Sequence, residues 1–456
     1  MQCRKLRGVV KRKRARGLRI AVCLVVAQVA VGAAADVEPG QIVTHEMRER
    51  VRDLFPPEVY AAAVEGFEGL QLTIVPSEHY APHPKYVEAT VKYACQATVD
   101  EHGQLQGYTA GQPFPYSDWA REATHHACDL SPDDPQFALK LAWNVNYRWM
   151  GAGTLTYPHW GQSYARSGGE DTWRLAQGSY RRSYFSHRAD LLPDATGIEP
   201  EPRIEWAEMT EMLDPFDIRG QRVLIYRYDD SHRKRDDAWV YVPEDRKVRR
   251  LSTGEKSDSV LGSEITYEDF FLFSGYVWDQ DWHFGGEHVY LAALDTQRSC
   301  FPKNVPGWQP DRLAALGSRE QFDACRFGPF HTLPLVDERW QKRTVVQLEQ
   351  VPHLRGHPYS RKLLWYDKET FAPLLFFAYG RDGKPLKLSW YIQDWSETSD
   401  VPGNRGKHAL FPVAVLLVNF SEGTTNRSLF FTANLRDFSA AEILDYYDVT
   451  RLKRGH

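Results

Sequence analysis

The order of apolar and polar positions changes character near the middle of the chain. Up to about residue 203 the readable signals are helical. Pro56-Pro57 opens a stretch through Ala61, Ala62 and Ala63, and proline suits a first helical turn. Pro84 opens a second helix over Tyr86–Thr98, and Asp134-Pro135 a third that runs to Trp149. In the third, Phe137, Leu141, Asn144/Val145 and Arg148/Trp149 recur at 3.6-residue spacing, and Gly151 stops it. From about residue 204 the period becomes two. Val223–Tyr228, Ala238–Val242, Val248–Leu251, Thr344–Leu348, Lys362–Tyr366, Leu374–Tyr379 and Leu386–Ile392 are short, β-branched or aromatic, and bounded by turn residues. Asp382-Gly383 between two such runs predicts a hairpin, because a type I′ turn needs positive φ. Leu386, Leu388, Trp390 and Ile392 alternate with Lys387, Ser389 and Tyr391, which predicts an antiparallel sheet with one covered and one wet face. A last helix is expected over Ser439–Tyr447. The pattern gives an α+β protein: one large antiparallel sheet covered by helices. A single domain is expected over 36–456, helix-rich in 36–203 and mainly strands with a C-terminal helix in 204–456. No repeat or low-complexity linker divides it.

Composition places the chain among globular proteins, with 42% hydrophobic, 25% charged and 13% aromatic residues in 456. Charge then excludes a partner class. The first 35 residues hold nine of the 56 Lys/Arg and no acid, which leaves 47 basic against 60 acidic residues. A body that acidic does not suit nucleic-acid phosphates. The basic stretch is followed by Ile20–Ala35, an apolar run of sixteen with small residues at Ala33 and Ala35. It is short for a spanning helix and reads as a secretory signal at 1–35, cut after Ala35. Another apolar run, Ala409–Val418, is too short to span and contains Pro412. The mature chain is therefore expected to be exported to the periplasm, without a membrane span. Four of the six Cys stay with it: Cys95, Cys128, Cys300 and Cys325. An even number in an oxidising compartment predicts disulfides, with three pairings open and local closure favouring Cys95–Cys128 and Cys300–Cys325.

Two segments are distinctive: YRYDDSHRKRDDAWVYVPEDRKVRRLSTGEKSDSVLGSEITYEDFFLFSG (Tyr226–Gly275) and HPYSRKLLWYDKETFAPLLFFAYGRDGKPLKLSWY (His357–Tyr391). With GYTAGQPFP (Gly107–Pro115) and DPFDIRGQRVLIYRY (Asp214–Tyr228), they resemble a secreted bacterial family known as domain of unknown function 1329, often labelled outer membrane lipoprotein-sorting protein. A more distant likeness, through Trp239, Tyr241 and Pro243 and the later strand–DG–strand run, is to periplasmic lipoprotein carriers. That resemblance implies a curved, incomplete β-barrel whose concave face holds acyl chains and whose mouth is closed by helices. It also implies an accessory role beside an outer-membrane barrel and an inner-membrane permease. Four mature Cys and the long basic leader depart from the family pattern without touching these motifs.

A carrier needs a dry concave surface, because each CH₂ taken out of water is worth about 0.8 kcal/mol. Aromatic side chains provide one with few rotatable bonds. Leu224, Tyr226 and Tyr228 share one face of their strand, Trp239 and Tyr241 one face of the next, and Phe376 sits mid-strand near the hairpin. Phe270, Phe271, Phe273, Trp278 and Trp282 form the densest aromatic cluster. These residues are the candidate ligand wall. Arg246, Lys247, Arg249 and Arg250 form a candidate charged rim for an anionic head group or an acidic partner; a solvated hairpin with weak cross-strand ion pairs is the competing reading.

Catalytic signatures are incomplete. Ser163 and Ser167 each lack one glycine of G-x-S-x-G. Gly151-Ala152-Gly153 lacks the last glycine of a dinucleotide fingerprint, and His125-His126 and His45-Glu46 have no third metal ligand at binding spacing. No catalytic residue, metal or cofactor is assigned. The reading is a non-enzymatic periplasmic carrier of a lipid-like or hydrophobic ligand. A periplasmic hydrolase of glycans or esters is the alternative, and a lipid-responsive interaction or sensor protein the second one.

Overall fold

The β-branched runs of the second half form strands, and two long strands from the first half join them. The computed structural model describes residues 37–151, 153–166, 174–191, 197–198, 203–252, 264–295, 339–399, 401, 403–431 and 433–454. The leader expected over 1–35 and the expected disulfide partners Cys300 and Cys325 lie outside these residues. Residues 36–456 form one compact unit.

In chain order the strands are β1 (Ile42–Thr44), β2 (Gln71–Ile74), β3 (Thr98–Val99), β4 (Leu105–Gln106), β5 (Thr154–Arg166), β6 (Arg174–Tyr184), β7 (Ile204–Asp214) and β8 (Arg222–Tyr228). They continue with β9 (Asp237–Val242), β10 (Lys247–Leu251), β11 (Gln280–Ala293), β12 (Arg339–Pro352), β13 (Tyr359–Asp367), β14 (Pro373–Gly380), β15 (Pro385–Trp395), β16 (Leu410–Asn419) and β17 (Thr424–Phe431). One sheet takes them in the order β1-β2-β12-β13-β14-β15-β16-β17-β5-β6-β7-β8-β9-β10, with β11 added to the free side of β12. Pairing is antiparallel except between β2 and β12. The order ends on β10, so the sheet stays open and is not a closed barrel. β3 and β4 pair separately.

β5 and β6 lie in the part read as helix-rich. Pro158 hides β5 in the sequence, and the structure puts it where the β5–β6 register slips between Tyr157 and Trp160, a bulge that tolerates the missing N–H. Pro412 does the same in β16 against the Ile392/Gln393 slip of β15. The short apolar run around it is therefore a strand buried along its whole length.

Among the described residues five short helices cover the sheet: α1 (Pro57–Val59), α2 (Pro84–Lys92), α3 (Asp118–Ala123), α4 (Phe137–Asn146) and α5 (Ala440–Tyr446). α2 ends well before the expected Thr98, because Cys95 takes a left-handed φ of 64° and turns the chain toward β3. Cys95 is bonded to Cys128, with Cα atoms 5.6 Å apart, across 33 residues. Closing a loop of that length is worth about 4 kcal/mol in the chain-entropy model. Reduction should lower the unfolding free energy by about that amount, read as a lower urea midpoint with dithiothreitol. An unchanged midpoint would show that the open loop is no freer than the closed one.

α5 begins on a capping box. Ser439 accepts from the Glu442 N–H, while the Glu442 carboxylate accepts from that of Ser439. Ile443 and Tyr447 then pack on Leu224 and Met209.

The expected wet face of β15 is not wet. Leu388, Trp390 and Ile392 pack in a cluster with Phe55 and Val59, but Lys387, Ser389 and Tyr391 are also buried. The segment Glu264–Leu272 lies across them. Lys387 donates to the Glu264 carbonyl at 2.6 Å and the Tyr391 hydroxyl to that of Asp269 at 2.9 Å. Alternation marked the two faces correctly, but it could not say that the polar one would be roofed by the chain itself. Among the described residues no helix is long and apolar enough to cross a membrane.

Candidate functional site

Six neighbouring strands, β15, β16, β17, β5, β6 and β7, would span roughly 24 Å if flat, at about 4.8 Å per strand. Yet Tyr391, Val415, Phe430, Tyr157, Trp160, Tyr180 and Thr210, from all six, meet around one cleft of about 100 Å³. The sheet is bent there. Register slips at Tyr157/Trp160, Gln177/Gly178 and Ile392/Gln393 supply bulges, which sharpen twist and bend. Trp160 pairs across the ladder with Gly178, where a Cβ would lie 2.4 Å from the indole and 2.5 Å from the Glu211 carbonyl. Glycine at that position lets the ring lie flat over the backbone and form a wall.

The remaining wall is the crossing segment, through Ile265, Phe270 and Phe271. Phe271 and Leu272 sit at φ 55° and 70°, a left-handed conformation that bulky residues avoid at a cost of about 1–3 kcal/mol each. Buried polar anchors hold it. Asp269 accepts from the Lys362 ammonium at 2.7 Å, the Tyr359 hydroxyl at 2.7 Å and the Thr266 hydroxyl at 2.9 Å. Glu268 bonds His357 at 3.0 Å and Gln350 at 2.6 Å. The Tyr391 hydroxyl accepts from the Phe271 N–H at 2.9 Å, clamping the strained turn from below. On the other flank Glu208 takes the Tyr180 hydroxyl at 2.6 Å and the Arg182 guanidinium at 2.6 and 2.9 Å.

Burial would push the Glu268 carboxyl up, but the His357 bond and the nearby Lys362 charge outweigh it and hold it low. Asp269 is likewise pushed up by burial and held below its ordinary value by Lys362 and Lys387. A depressed carboxyl stabilises the fold above its unfolded pKa, near 4, and loses that contribution as pH falls through the folded value. Thermal midpoint should therefore drop as pH is lowered from about 5 to about 3. Glu268→Gln should flatten that slope, and a slope unchanged in the variant would remove Glu268 from the acid response.

The eleven sequence-read wall residues are dispersed. Phe270 and Phe271 line the cleft. Leu224, Tyr226, Tyr228, Trp239 and Tyr241 pack with Ile443, Tyr447 and Leu452 beneath the C-terminal helices. Tyr226 meets Trp239 edge-on at 5.0 Å and bonds the Tyr447 carbonyl. Phe273, Trp278, Trp282 and Phe376 join the cluster of α4. There Trp278 donates to Ser231 at 3.0 Å, Trp282 to the Val277 carbonyl at 2.8 Å, and Lys362 lies 4.3 Å from the Phe376 ring centroid. Of the rim residues, Arg249 pairs with Asp245 and Arg250 with Asp237 within their own hairpin, while Arg246 occupies its turn at φ 50° beside Lys247. The aromatic walls from β5, β6 and β17 went unread. The bulge at Pro158 puts Tyr157 and Trp160 on one side three positions apart, which no period-two template picks out.

A Ser–His–Asp cluster, Ser186, His187 and Asp229, lacks the geometry of a nucleophile. The Ser186 hydroxyl bonds Asp229, and His187 Nδ1 faces the Thr109 carbonyl at 2.9 Å. Among the described residues no group of three or more His, Cys, Asp or Glu could hold a metal.

The family described as "Protein of unknown function (DUF1329)" matches residues 42–427. No curated protein matches the chain. Among solved structures, a Vibrio parahaemolyticus protein described as an "outer membrane lipoprotein-sorting protein domain" is 17% identical, with TM-score 0.44, covering 70% of this chain and 98% of its own. A DUF1329 family protein from Desulfovibrio piger is 16% identical with TM-score 0.44, over 68% and 96% of the two chains. A LolA superfamily protein from Nitrosomonas europaea is 14% identical with TM-score 0.38, over 68% and 98%.

Proposed function

The chain belongs to the DUF1329 family of proteins of unknown function, and on that premise we propose that it is a non-catalytic periplasmic carrier of a lipid-like guest. The apolar cleft in the bend of the sheet is the observation that carries this reading. Its walls are aromatic and aliphatic, with Gln162, Thr210 and Ser428 as sparse polar edges, the usual make-up of a small-ligand site. Phe270 and Phe271 are the guest contacts retained from the sequence, joined by Tyr157, Trp160, Tyr180 and Phe430.

Size sets what the cleft can hold. An apolar cavity of roughly 150 Å³ in another protein stays dry and takes benzene, so about 100 Å³ takes the end of an alkyl tail. Five buried methylenes give about 4 kcal/mol, near millimolar, whereas micromolar binding needs about ten or a second contact. The cleft therefore grips a tail end, and a firmer hold requires contact elsewhere or movement of the Phe270–Phe271 wall.

The leader read in 1–35, cut after Ala35, and the Cys95–Cys128 bond support export to an oxidising compartment. Partnership with an outer-membrane barrel and an inner-membrane permease is the finer part of the proposal and follows from the family likeness. Protein purified from its native host, extracted with organic solvent and analysed by mass spectrometry, should yield a stoichiometric alkyl-chain compound. Absence of any such compound, together with no binding of a lipophilic probe, overturns the carrier reading.

A further inference from the structure

Arg148 follows α4 and is 9% exposed, yet among the described residues no carboxylate lies within ion-pair distance of it. Its Nη1 donates to the Val145 carbonyl at 2.8 Å, and its Nε is buried without any partner. Three other buried arginines are paired with carboxylates. Arg182 pairs with Glu208, Arg227 with Asp236 and Arg343 with Asp367. A buried guanidinium stays charged and is costly to leave without a counter-charge.

The surroundings supply room. Two hollows of about 30 and 50 Å³ share Arg148, Trp149 and Tyr86 in their walls. The acids that border them are already taken: Glu369 by Arg343 at 2.7 Å, and Asp190 by Arg188 at 2.5 Å. Arg148 also stands 5.6 Å from the ring centroid of Phe271, which lines the apolar cleft. An uncompensated cation thus borders vacant volume on one side and the wall of the cleft on the other.

We propose that Arg148 receives the anionic head, a carboxylate or phosphate, of a single-chain amphiphile whose tail end lies in the apolar cleft. This rests on the carrier reading and supplies the second contact that the cleft alone lacks. Burial holds the Arg148 guanidinium below its ordinary pKa while leaving it charged, so an incoming anion meets little competing water.

Calorimetric titration at neutral pH with dodecanoate, dodecyl phosphate, dodecanol and inorganic phosphate tests it. The unaltered protein should bind both anionic amphiphiles at least about tenfold more tightly than the alcohol, as a charge-assisted bond requires. Inorganic phosphate should not compete. Arg148→Gln should bring the anions down to the affinity of dodecanol and leave dodecanol unchanged. Equal affinity for acid and alcohol in the unaltered protein overturns the Arg148 assignment and leaves the carrier reading standing. Inorganic phosphate binding as tightly as dodecyl phosphate overturns it in favour of a free-anion site. Binding of none of the four removes the carrier reading as well. The first comparison needs no variant, so it stands even if Arg148→Gln does not fold.

Discussion

Asp269→Ala is expected to cost about 3–5 kcal/mol of unfolding free energy, a large part of the 5–15 kcal/mol of a typical protein. The substitution strands Lys362, whose side chain is fully buried and whose ammonium lies 2.7 Å from the carboxylate. It also leaves the Tyr359 and Thr266 hydroxyls without their acceptor. Lys362→Met alone should also be damaging, because the buried carboxylate loses its 2.7 Å partner and keeps Lys387 at the longer distance of 4.0 Å. The double variant should cost less than the sum of the singles by about 1–3 kcal/mol, since neither charge is then orphaned. Denaturant titration of the four proteins gives the coupling directly, and strict additivity would mean that the two charges do not compensate each other. The crossing segment would loosen first, and the cleft loses a wall with it.

The second large effect concerns binding. Thr210 points a small side chain into the cleft from β7 and is partly exposed, so a larger residue has somewhere to go without displacing the core. Thr210→Trp should occupy the space of the tail and weaken a neutral lipophilic probe at least about tenfold. Stability should change by no more than about 1–3 kcal/mol, the usual range for overpacking. Unaltered probe affinity in a folded variant would place the guest elsewhere.

Much of the fold was legible because the second half of the chain obeys period two. The runs at Val223–Tyr228, Lys362–Tyr366 and Leu374–Tyr379 all fall inside β8, β13 and β14. Strands with a proline inside them were not legible, since Pro158 and Pro412 have no N–H to give a ladder and fit only at the bulges that the structure shows. The site was half legible. The aromatic segment after Tyr267 announced itself by composition, but only its Phe270 and Phe271 reach the cleft, because the left-handed turn at Phe271 and Leu272 sends the following residues to the α4 side. Aromatic density reports burial, and in a sheet roofed on both faces most burial is ordinary packing. Lys387 gave the opposite lesson: a charge read as facing water holds the strap in place.

The most direct test of the apolar cleft is affinity against tail length. In titrations of the unaltered protein with n-alkanols from two to eight carbons, each added methylene should tighten binding about fourfold, the equivalent of about 0.8 kcal/mol, until the tail outgrows the hollow. An affinity that stays flat across the series would mean that hydrocarbon is not what the bend in the sheet receives.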